Sequence, residues 1–331
     1  MSMLIMGIDG GGSKSHLALF GENGGCAGTA ARGILNHEGM EGSFAELEDV
    51  LSEFILGALK NAGADAGDVA YAVLGLAGVD TAAQHRTISA ILRRIGISRF
   101  LLCNDAFLGV AAGCAGGIGI SCVNGTGTSL AGVDYGGNTL QVAGVGDLTD
   151  DRGGGGWYGR RALGAVYNSL YKCGKQTALG GMLFSLLGVT RKEDYLETLA
   201  AALGGGSLTY GAVGRLVFEA AGAGDAAAAD ILEQSAEHFA GGIEYIAKNM
   251  DFPEERPLDI SFAGSVFVKE KVKILPEIIE RRVRASLGAR RIAFRALDTV
   301  PVAGAVLWAS QRAGFGIEMA GIKETLSKSG L

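Results

Sequence analysis

Two glycine-rich segments combine residue types that can hold phosphate groups. Residues 9–14 read Asp-Gly-Gly-Gly-Ser-Lys, and residues 124–129 read Asn-Gly-Thr-Gly-Thr-Ser. Glycine lets backbone N–H groups approach an anion, and the hydroxyl and ammonium groups add further donors. Each segment alone is also compatible with a plain hairpin turn, but two opposed turns can grip one polyphosphate. The predicted phosphate-binding residues are Gly10, Gly11, Gly12, Ser13, Lys14, Gly125, Thr126, Gly127 and Thr128.

Asp9 follows an apolar run over residues 3–8, so its carboxylate is expected at the end of a strand. A carboxylate in that position can hold Mg²⁺ through water. The first segment is not a P-loop, because a P-loop has Gly-Lys-Ser/Thr opening a helix. Here Lys14 follows Ser13, and an extended pattern continues over residues 15–20.

Asp105 follows another apolar strand, predicted over residues 100–103, and precedes a helix. The carboxyl end of a strand is where α/β proteins place their ligands. A carboxylate there can act as a general base toward a hydroxyl that attacks a γ-phosphate. The alternative is that Asp105 is an ordinary N-cap of the helix that begins at residue 106.

Three further loops carry candidate binding residues. Asn36 lies in a Gly-flanked loop that is also compatible with a simple turn. Asp151, beside four glycines, can hydrogen-bond a polyol or cap a helix. Gly264, Ser265 and Val266 lie between a strand and a helix and allow close approach of a flat base, although Ser265 also suits an N-cap.

The order of the elements predicts an α/β protein with two similar lobes. The chain has 331 residues, more than one hydrophobic core usually serves. The first part reads β-β-β-α-β-α-β, and the strand predicted over residues 117–123 begins the same plan again. Helices up to residue 250 look like an insertion, and strands and helices over 258–263, 267–287, 291–294 and 302–312 complete the second lobe. The boundary between the lobes is predicted near residues 113–116.

Composition narrows the classes of partner. The net charge is −6 and no long basic run occurs, which argues against a nucleic-acid surface. No apolar run approaches the length of a membrane span, and the N-terminus lacks the pattern of a secretory signal. The five cysteines and four histidines form no metal-binding motif. We therefore expect a cytoplasmic protein, forming a homodimer, with a small-molecule partner and no nucleic-acid or membrane partner.

With these segments in hand, the chain resembles the BadF/BadG/BcrA/BcrD ATPase family, including its N-acetylglucosamine kinase-like members of the actin, Hsp70 and sugar-kinase superfamily. The resemblance spans nearly the whole chain and rests on five short motifs in the family's order. They are residues 7–14, 104–106, 125–128, 263–266 and 301–305. They correspond to the first phosphate motif, the catalytic Asp segment, the second phosphate motif, the adenosine motif and the start of the late helix.

The resemblance implies a two-lobed actin-like ATPase fold of the ribonuclease H type, each lobe a mixed five-stranded sheet with flanking helices. The implied lobes are residues 1–115, which a C-terminal helix over 315–331 can join, and residues 116–314. It further implies ATP and Mg²⁺ as cofactors, with Asp9 organising the metal. Gly264, Ser265 and Val266 would bind adenosine. Asn36, Asp105 and Asp151 would face an amino sugar, with Asp105 as the base toward its 6-hydroxyl.

The chain departs from the family pattern on the sugar side. Arg152 stands where a Glu is expected, and the Trp that often precedes this segment is missing from residues 144–146. Glucosamine, N-acetylglucosamine and a muramic-type sugar all remain open as acceptors. The working hypothesis is an ATP-dependent amino-sugar kinase. The alternatives are an iron–sulfur ATPase activator of a 2-hydroxyacyl-CoA dehydratase or benzoyl-CoA reductase system, and a non-catalytic sugar sensor.

Overall fold

The computed structural model describes residues 3–270 and 273–331. Five strands form the first sheet: β1 (Leu4–Gly10), β2 (Ser15–Gly21), β3 (Cys26–Arg32), β4 (Val69–Leu76) and β5 (Phe100–Cys103). They lie in the order β3-β2-β1-β4-β5. β2 is antiparallel to both β1 and β3, whereas β4 is parallel to β1 and β5 is parallel to β4. The first sheet is therefore mixed, as predicted.

Five more strands form the second sheet: β6 (Gly119–Asn124), β7 (Thr128–Val133), β8 (Thr139–Val142), β9 (Leu258–Ala263) and β10 (Ile292–Ala296). Their order is β10-β9-β6-β7-β8, with β7 antiparallel to β6 and β8, and β9 parallel to β6 and β10. Each strand has a counterpart in the first sheet, β6 corresponding to β1 and β7 to β2. The repeated plan predicted from the sequence is confirmed.

Two helices, α1 (Ser43–Asn61) and α2 (Ala82–Ile95), cover one face of the first sheet. Their apolar side chains share a buried cluster with Met6 and Ile8 of β1. α2 begins where Thr81 and Gln84 form a reciprocal capping box, which satisfies N–H groups that have no partner within the helix. The cap also fixes the loop that precedes α2, which ends at Asp80.

Between β8 and β9 lies the helical insertion. It consists of α4 (Gly154–Tyr171), α5 (Leu179–Leu187), α6 (Tyr195–Gly204), α7 (Tyr210–Gly222) and α8 (Ala226–Asn249). Buried side chains of these helices form one cluster with the second sheet. After β9 come α9 (Ser265–Lys269) and α10 (Ile274–Leu287). The single helix predicted over 267–287 is wrong, because Glu270 has an extended backbone that ends α9; residues 271 and 272 lie outside the described residues.

The helices α3 (Ala106–Gly113) and α11 (Val302–Ala313) cross closely between the sheets. A Cβ at Gly304 of α11 would lie 2.4 Å from the Leu108 carbonyl oxygen of α3. α11 packs on the first sheet, since a Cβ at Gly7 would lie 2.8 Å from the backbone nitrogen of Val306. α3 packs on the second sheet, where a Cβ at Gly109 would lie 2.1 Å from Ser121 Oγ. Thus α3, which follows β5 of the first sheet, covers the second sheet. In the same way α11, which follows β10 of the second sheet, covers the first.

The last helix, α12 (Met319–Lys328), also packs near the first sheet. Its Ile322 and Leu326 are buried in one cluster with Ile5 of β1 and Val306 of α11. The lobe limits at 115–116 and 314–315 stay predictions, and this packing favours placing both α11 and α12 with the first lobe. In the described parts of the chain, no helix combines the length and apolarity that crossing a bilayer requires.

Candidate functional site

The two Gly-rich turns meet at the mouth of the cleft between the sheets. The first turn joins β1 to β2, and Gly11 N–H donates to the Lys14 carbonyl at 3.2 Å. The second joins β6 to β7, and Gly125 N–H donates to the Gly127 carbonyl at 2.9 Å. Because β1–β2 and β6–β7 occupy equivalent places in the two sheets, the turns face each other. Ser13 Oγ of one lies 2.7 Å from Thr126 Oγ1 of the other.

Glycines allow two further segments to approach the second turn. Gly154 N–H, at the start of α4, donates to Asn124 Oδ1 at 2.8 Å. Gly154 has a φ of +78°, and a Cβ there would lie 2.4 Å from the Thr126 carbonyl oxygen. Gly264 has a φ of +89°, and a Cβ there would lie 2.5 Å from the Asn124 carbonyl oxygen. The N-terminus of the 18-residue helix α4 therefore points its positive dipole end toward this turn, which favours an anion.

A cavity of about 520 Å³ opens beside the second turn. Gly125, Ser265 and Val266 line it, with Lys269, Glu270 and residues of the insertion. The predicted base-binding residues Ser265 and Val266 thus line a cavity of ligand size next to the second Gly-rich turn. From α7, Gly214 and Arg215 also line it. Sequence reasoning missed both, because α7 shows ordinary helical periodicity and no motif.

Asp105 lies at the carboxyl end of β5, partly exposed to the cleft. Burial, together with the nearby carboxylates of Asp9 and Asp80, raises the pKa of its carboxyl to about 7. The Asp105 side chain makes no cap hydrogen bond to α3. Instead Asn104 Oδ1 accepts from Ala106 N–H at 3.0 Å. Asp105 therefore occupies the N-cap position of α3, but Asn104 rather than Asp105 supplies the side-chain cap hydrogen bond.

Asp9 lies at the end of β1, beside the first turn. Its Oδ2 is 3.9 Å from Nδ1 of buried His16, the facing residue on β2. Burial raises the pKa of Asp9, while His16 and Lys14 oppose that shift. Within residues 3–270 and 273–331, no cluster of three or more His, Cys, Asp or Glu side chains could cage a metal ion. Mg²⁺ needs no cage: one or two carboxylates, waters and substrate phosphates hold it, and Asp9 fits that arrangement.

The two predicted sugar-facing residues outside Asp105 also shape their own loops. Asn36 Oδ1 accepts from Glu38 N–H at 3.0 Å and packs against Gly78. Asp151 Oδ2 accepts from the N–H groups of Gly144 and Gly146 at 3.0 and 2.9 Å. Both loops approach Asp80: Asn36 packs against Gly78, two residues earlier in the chain, and a Cβ at Gly144 would lie 3.2 Å from Asp80 Oδ1.

Asp80, which sequence reasoning missed, links these loops. Its Oδ1 accepts from Asn104 Nδ2 at 2.9 Å and from Gln141 Nε2 of β8 at 2.5 Å. Ser129 Oγ of β7 donates to Asn104 Oδ1 at 3.5 Å. Asp80 and Asn104 follow strands of the first sheet, and Ser129 and Gln141 belong to the second. These hydrogen bonds therefore join residues of both sheets. Asp80 lies in a loop just before a helix, where an Asp is common as a cap, so the sequence gives no sign of a further role.

A model of the BadF/BadG/BcrA/BcrD ATPase family matches residues 6–309, nearly the whole chain. The chain belongs to this family. Among curated relatives, an N-acetylmuramic acid/N-acetylglucosamine kinase of Clostridium acetobutylicum is 28% identical over 58% of the chain. An N-acetyl-D-glucosamine kinase of Dictyostelium discoideum is 23% identical over 85% of it. The aligned part is 63% of the length of the Clostridium protein, less than two thirds, and 90% of the Dictyostelium protein.

Solved structures of two other proteins share this fold. A proposed N-acetylglucosamine kinase from Chromobacterium violaceum is 20% identical, with a TM-score of 0.66, covering 93% of this chain and 99% of that one. A ROK family glucokinase from Streptomyces griseus, solved with glucose and AMPPNP, is 18% identical, with a TM-score of 0.57 and coverage of 93% and 98%. The two-lobed actin-like ATPase fold predicted from the motifs is confirmed.

Arg152, which stands where the family pattern has a Glu, pairs with acids close to it. Arg152 pairs with Asp150 at 2.7 Å and lies 3.7 Å from Glu237 of α8. The neighbouring His238 is partly buried, and burial lowers its pKa. The positive charge of Arg152 is therefore neutralised by two acids of its own surroundings. Asp151, one residue earlier, keeps its carboxylate on the backbone of the loop at residues 144–146.

The five cysteines of this family member lie on separate elements. Cys103, Cys114 and Cys122 are on β5, at the end of α3 and on β6. Burial raises the pKa of Cys103 and of Cys114 to about 12. Cys26 is partly exposed on β3 and Cys173 is exposed after α4. Iron–sulfur clusters are held by several cysteine thiolates gathered around the cluster. Among the described residues, no group of three or more His, Cys, Asp or Glu side chains is placed to hold a metal ion.

Proposed function

We propose that this protein is an ATP-dependent kinase that transfers the γ-phosphoryl group to the 6-hydroxyl of an amino sugar, N-acetylglucosamine or glucosamine. The observation that carries the proposal is the meeting of the two Gly-rich turns, with Asp105 nearby in the same cleft. The curated relatives, one named as an N-acetylmuramic acid/N-acetylglucosamine kinase and one as an N-acetyl-D-glucosamine kinase, support an ATP-dependent sugar kinase. The amino sugar, the hydroxyl and the role of each residue are our assignments.

The phosphates of ATP would bind between the turns. Backbone N–H groups of residues 10–12 and 125–127, with Ser13, Lys14, Thr126 and Thr128, would supply the donors. The cavity beside Ser265 and Val266 would take adenosine, with Gly264 allowing the base to approach. The Thr128 hydroxyl proton already has an acceptor, because Oγ1 donates to the Val123 carbonyl at 3.1 Å. Its backbone N–H and position in the turn then matter more than its hydroxyl.

Asp105 would act as the general base. A base works best when its pKa lies near the pH at which the enzyme operates, and a pKa of about 7 meets that condition. Asp105 would accept the proton of the sugar hydroxyl as that oxygen attacks the phosphoryl group. Asn36 and Asp151 would orient the sugar from the two loops at the cleft edge. Closure of the lobes would exclude water from the reaction.

Asp9 would hold Mg²⁺ beside the first turn. When bound, the ion neutralises charge on the transferred group. Asp9 and Asp105 lie close enough that the Asp9 charge raises the pKa of Asp105. A cation between the first turn and these acids would lower that repulsion, which is the electrostatic reason why the site suits a metal-bound polyphosphate.

Two finer predictions stay predictions: a homodimer and a cytoplasmic location. The positions of the five cysteines on separate elements favour a kinase over an iron–sulfur activator, which needs several thiolates around one cluster. A sensor without activity would bind sugar but release no ADP.

A coupled ADP-release assay over a panel of hexoses and amino sugars with Mg·ATP tests the proposal. We expect ADP release to rise well above the sugar-free rate with N-acetylglucosamine or glucosamine. Sugar binding without any such rise would favour a sensor, and ADP release that no sugar alters would contradict a kinase.

A further inference from the structure

A buried triad of polar side chains runs from the second Gly-rich turn into the helical insertion. It consists of Asn124 at the end of β6, Tyr158 of α4 and Ser235 of α8, each with an exposure of 0%. Asn124 Nδ2 donates to Tyr158 Oη at 2.9 Å, and Tyr158 Oη lies 2.6 Å from Ser235 Oγ. Neither the sequence motifs nor the proposed mechanism uses Tyr158 or Ser235.

The orientation of the Asn124 amide follows from its partners. Gly154 N–H can only donate, and it donates to Asn124 Oδ1 at 2.8 Å, so the amide oxygen faces the first residue of α4. The amide NH2 group is then left for Tyr158 Oη, which accepts from it. Burial raises the pKa of the Tyr158 hydroxyl to about 12, so it stays neutral near pH 7. One hydroxyl therefore fixes the amide at the start of the turn.

The same amide joins the turn to the start of α4. Gly155 N–H donates to the Gly125 carbonyl at 2.9 Å, next to the bond between Gly154 and Asn124. A Cβ at Gly154 would lie 2.4 Å from the Thr126 carbonyl oxygen, so the turn and the helix start are in close contact. Any movement of the Asn124 side chain would therefore shift the turn against the end of the helix.

The insertion fixes the position of the Tyr158 ring. The ring meets that of Phe218 of α7 edge-on, with their centroids 5.0 Å apart. Tyr158 also lines the cavity proposed for adenosine. Ser235 belongs to the 24-residue helix α8, so the hydroxyl of Tyr158 connects three helices of the insertion to the turn.

We propose that Tyr158 is a positioning residue for the second Gly-rich turn, and that its hydroxyl, with Ser235 behind it, holds the turn in the conformation that binds the phosphates of ATP. This inference rests on the part of the proposed function that places the phosphates at this turn. Without the hydroxyl, the buried Asn124 amide loses the acceptor of its NH2 group, which raises the free energy of this conformation relative to others. The apparent affinity for ATP then falls with the fraction of molecules whose turn stays in place.

Tyr158→Phe removes the hydroxyl and keeps the ring. We expect the dissociation constant of Mg·ATP, measured by calorimetric titration well below the melting temperature, to rise about tenfold. The dissociation constant of N-acetylglucosamine, measured without nucleotide, should stay within about twofold of the wild-type value, because Tyr158 lies on the nucleotide side of the cleft. A loss of stability alone would not produce this selective loss of ATP affinity.

Tyr195→Phe is the matched control. Tyr195 of α6 is 1% exposed and belongs to the same hydrophobic cluster as Tyr158. Within the part of the chain that the structure describes, the Tyr195 hydroxyl has no hydrogen-bond partner. The same substitution at this position should leave the dissociation constant of Mg·ATP within about twofold of the wild-type value.

Ser235→Ala tests the far end of the triad without touching the turn. Tyr158 Oη can still accept from Asn124 but loses its contact with Ser235, so the dissociation constant of Mg·ATP should rise less, by about threefold. Because both hydroxyls act through the same contacts, the double variant of Tyr158→Phe and Ser235→Ala should bind ATP about as weakly as Tyr158→Phe alone.

An unchanged ATP affinity in Tyr158→Phe would overturn the inference, as would an equal loss in Tyr195→Phe or an equal loss of affinity for the sugar. If Tyr158→Phe does not fold, Ser235→Ala decides, and an unchanged ATP affinity in that variant counts against the triad. ADP release that no sugar stimulates would overturn the kinase proposal alone, because the ATP titrations require no turnover of sugar.

Discussion

Ser13 and Thr126 join the two Gly-rich turns through a hydroxyl contact of 2.7 Å, although 113 residues separate them in the chain. Each residue lies in a turn whose own sequence is also compatible with a plain hairpin. Their contact turns two separate hairpins into one binding surface. It also ties the first sheet to the second at the point where the phosphates are proposed to bind.

Thr126→Val tests that surface. The variant keeps the shape of Thr126 but removes the hydroxyl that meets Ser13 and would donate to a phosphate. We expect the KM for ATP to rise by about tenfold, the KM for the sugar to change little, and the melting temperature to stay close to that of the wild type. Steady-state kinetics with each substrate varied in turn give the comparison. A rise confined to the sugar KM would contradict the assignment of the turn.

Asp105→Asn removes the proposed base while keeping its size. We expect kcat to fall by at least ~10²-fold, with ATP affinity within a few-fold of the wild type. Single-turnover kinetics and nucleotide titration measure the two quantities separately. Near-normal turnover in this variant would show that another group takes the proton, or that none needs to.

The pKa of Asp105 also predicts how stability depends on pH. Because its folded-state pKa is raised from 3.8 to about 7, the folded state binds this proton more tightly than the unfolded state does. The stabilisation is present below the unfolded pKa and is lost as pH rises through about 7. Asp105→Asn carries no such charge, so its melting temperature should gain most over the wild type near about pH 8 and least near about pH 5. A difference that is the same at both pH values would contradict the raised pKa.

Two glycines of one region should respond differently to alanine. Gly154→Ala forces a side chain into a φ of +78° and against the Thr126 carbonyl oxygen, so we expect both stability and ATP binding to fall. A Cβ at Gly127 meets nothing within 4 Å, so Gly127→Ala should keep its melting temperature. It should still weaken ATP binding, because the new methyl group occupies the space proposed for phosphate. Equal melting temperatures for the two variants would count against the packing described here.

Much of the fold follows from local patterns. The apolar strands and the Gly-rich turns between them are each encoded by a few adjacent residues, and the structure has them close to where the sequence predicts them. The repeated strand order follows from the same patterns. Helix packing does not, because the crossing of α3 and α11 depends on contacts such as Gly304 against Leu108, which no local pattern specifies.

The site shows the same division. Asp105 and the turns stand at strand ends and could be predicted as candidates from position. Which of Asn104 and Asp105 supplies the cap hydrogen bond of α3 could not be predicted from sequence, because both are acceptable caps and only the side-chain directions decide. Asp80 and Arg215 were missed, since their neighbours Gln141 and Ser265 come from distant parts of the chain.

The most direct test of the account follows the γ-phosphoryl group itself. Wild-type protein is incubated with ATP labelled in the γ-phosphate, Mg²⁺ and N-acetylglucosamine or glucosamine, and the labelled products are separated. The account predicts that the label appears on the sugar, at the 6-position, and that little of it appears as inorganic phosphate. Label found only in inorganic phosphate, at a rate that neither sugar changes, would contradict a sugar kinase.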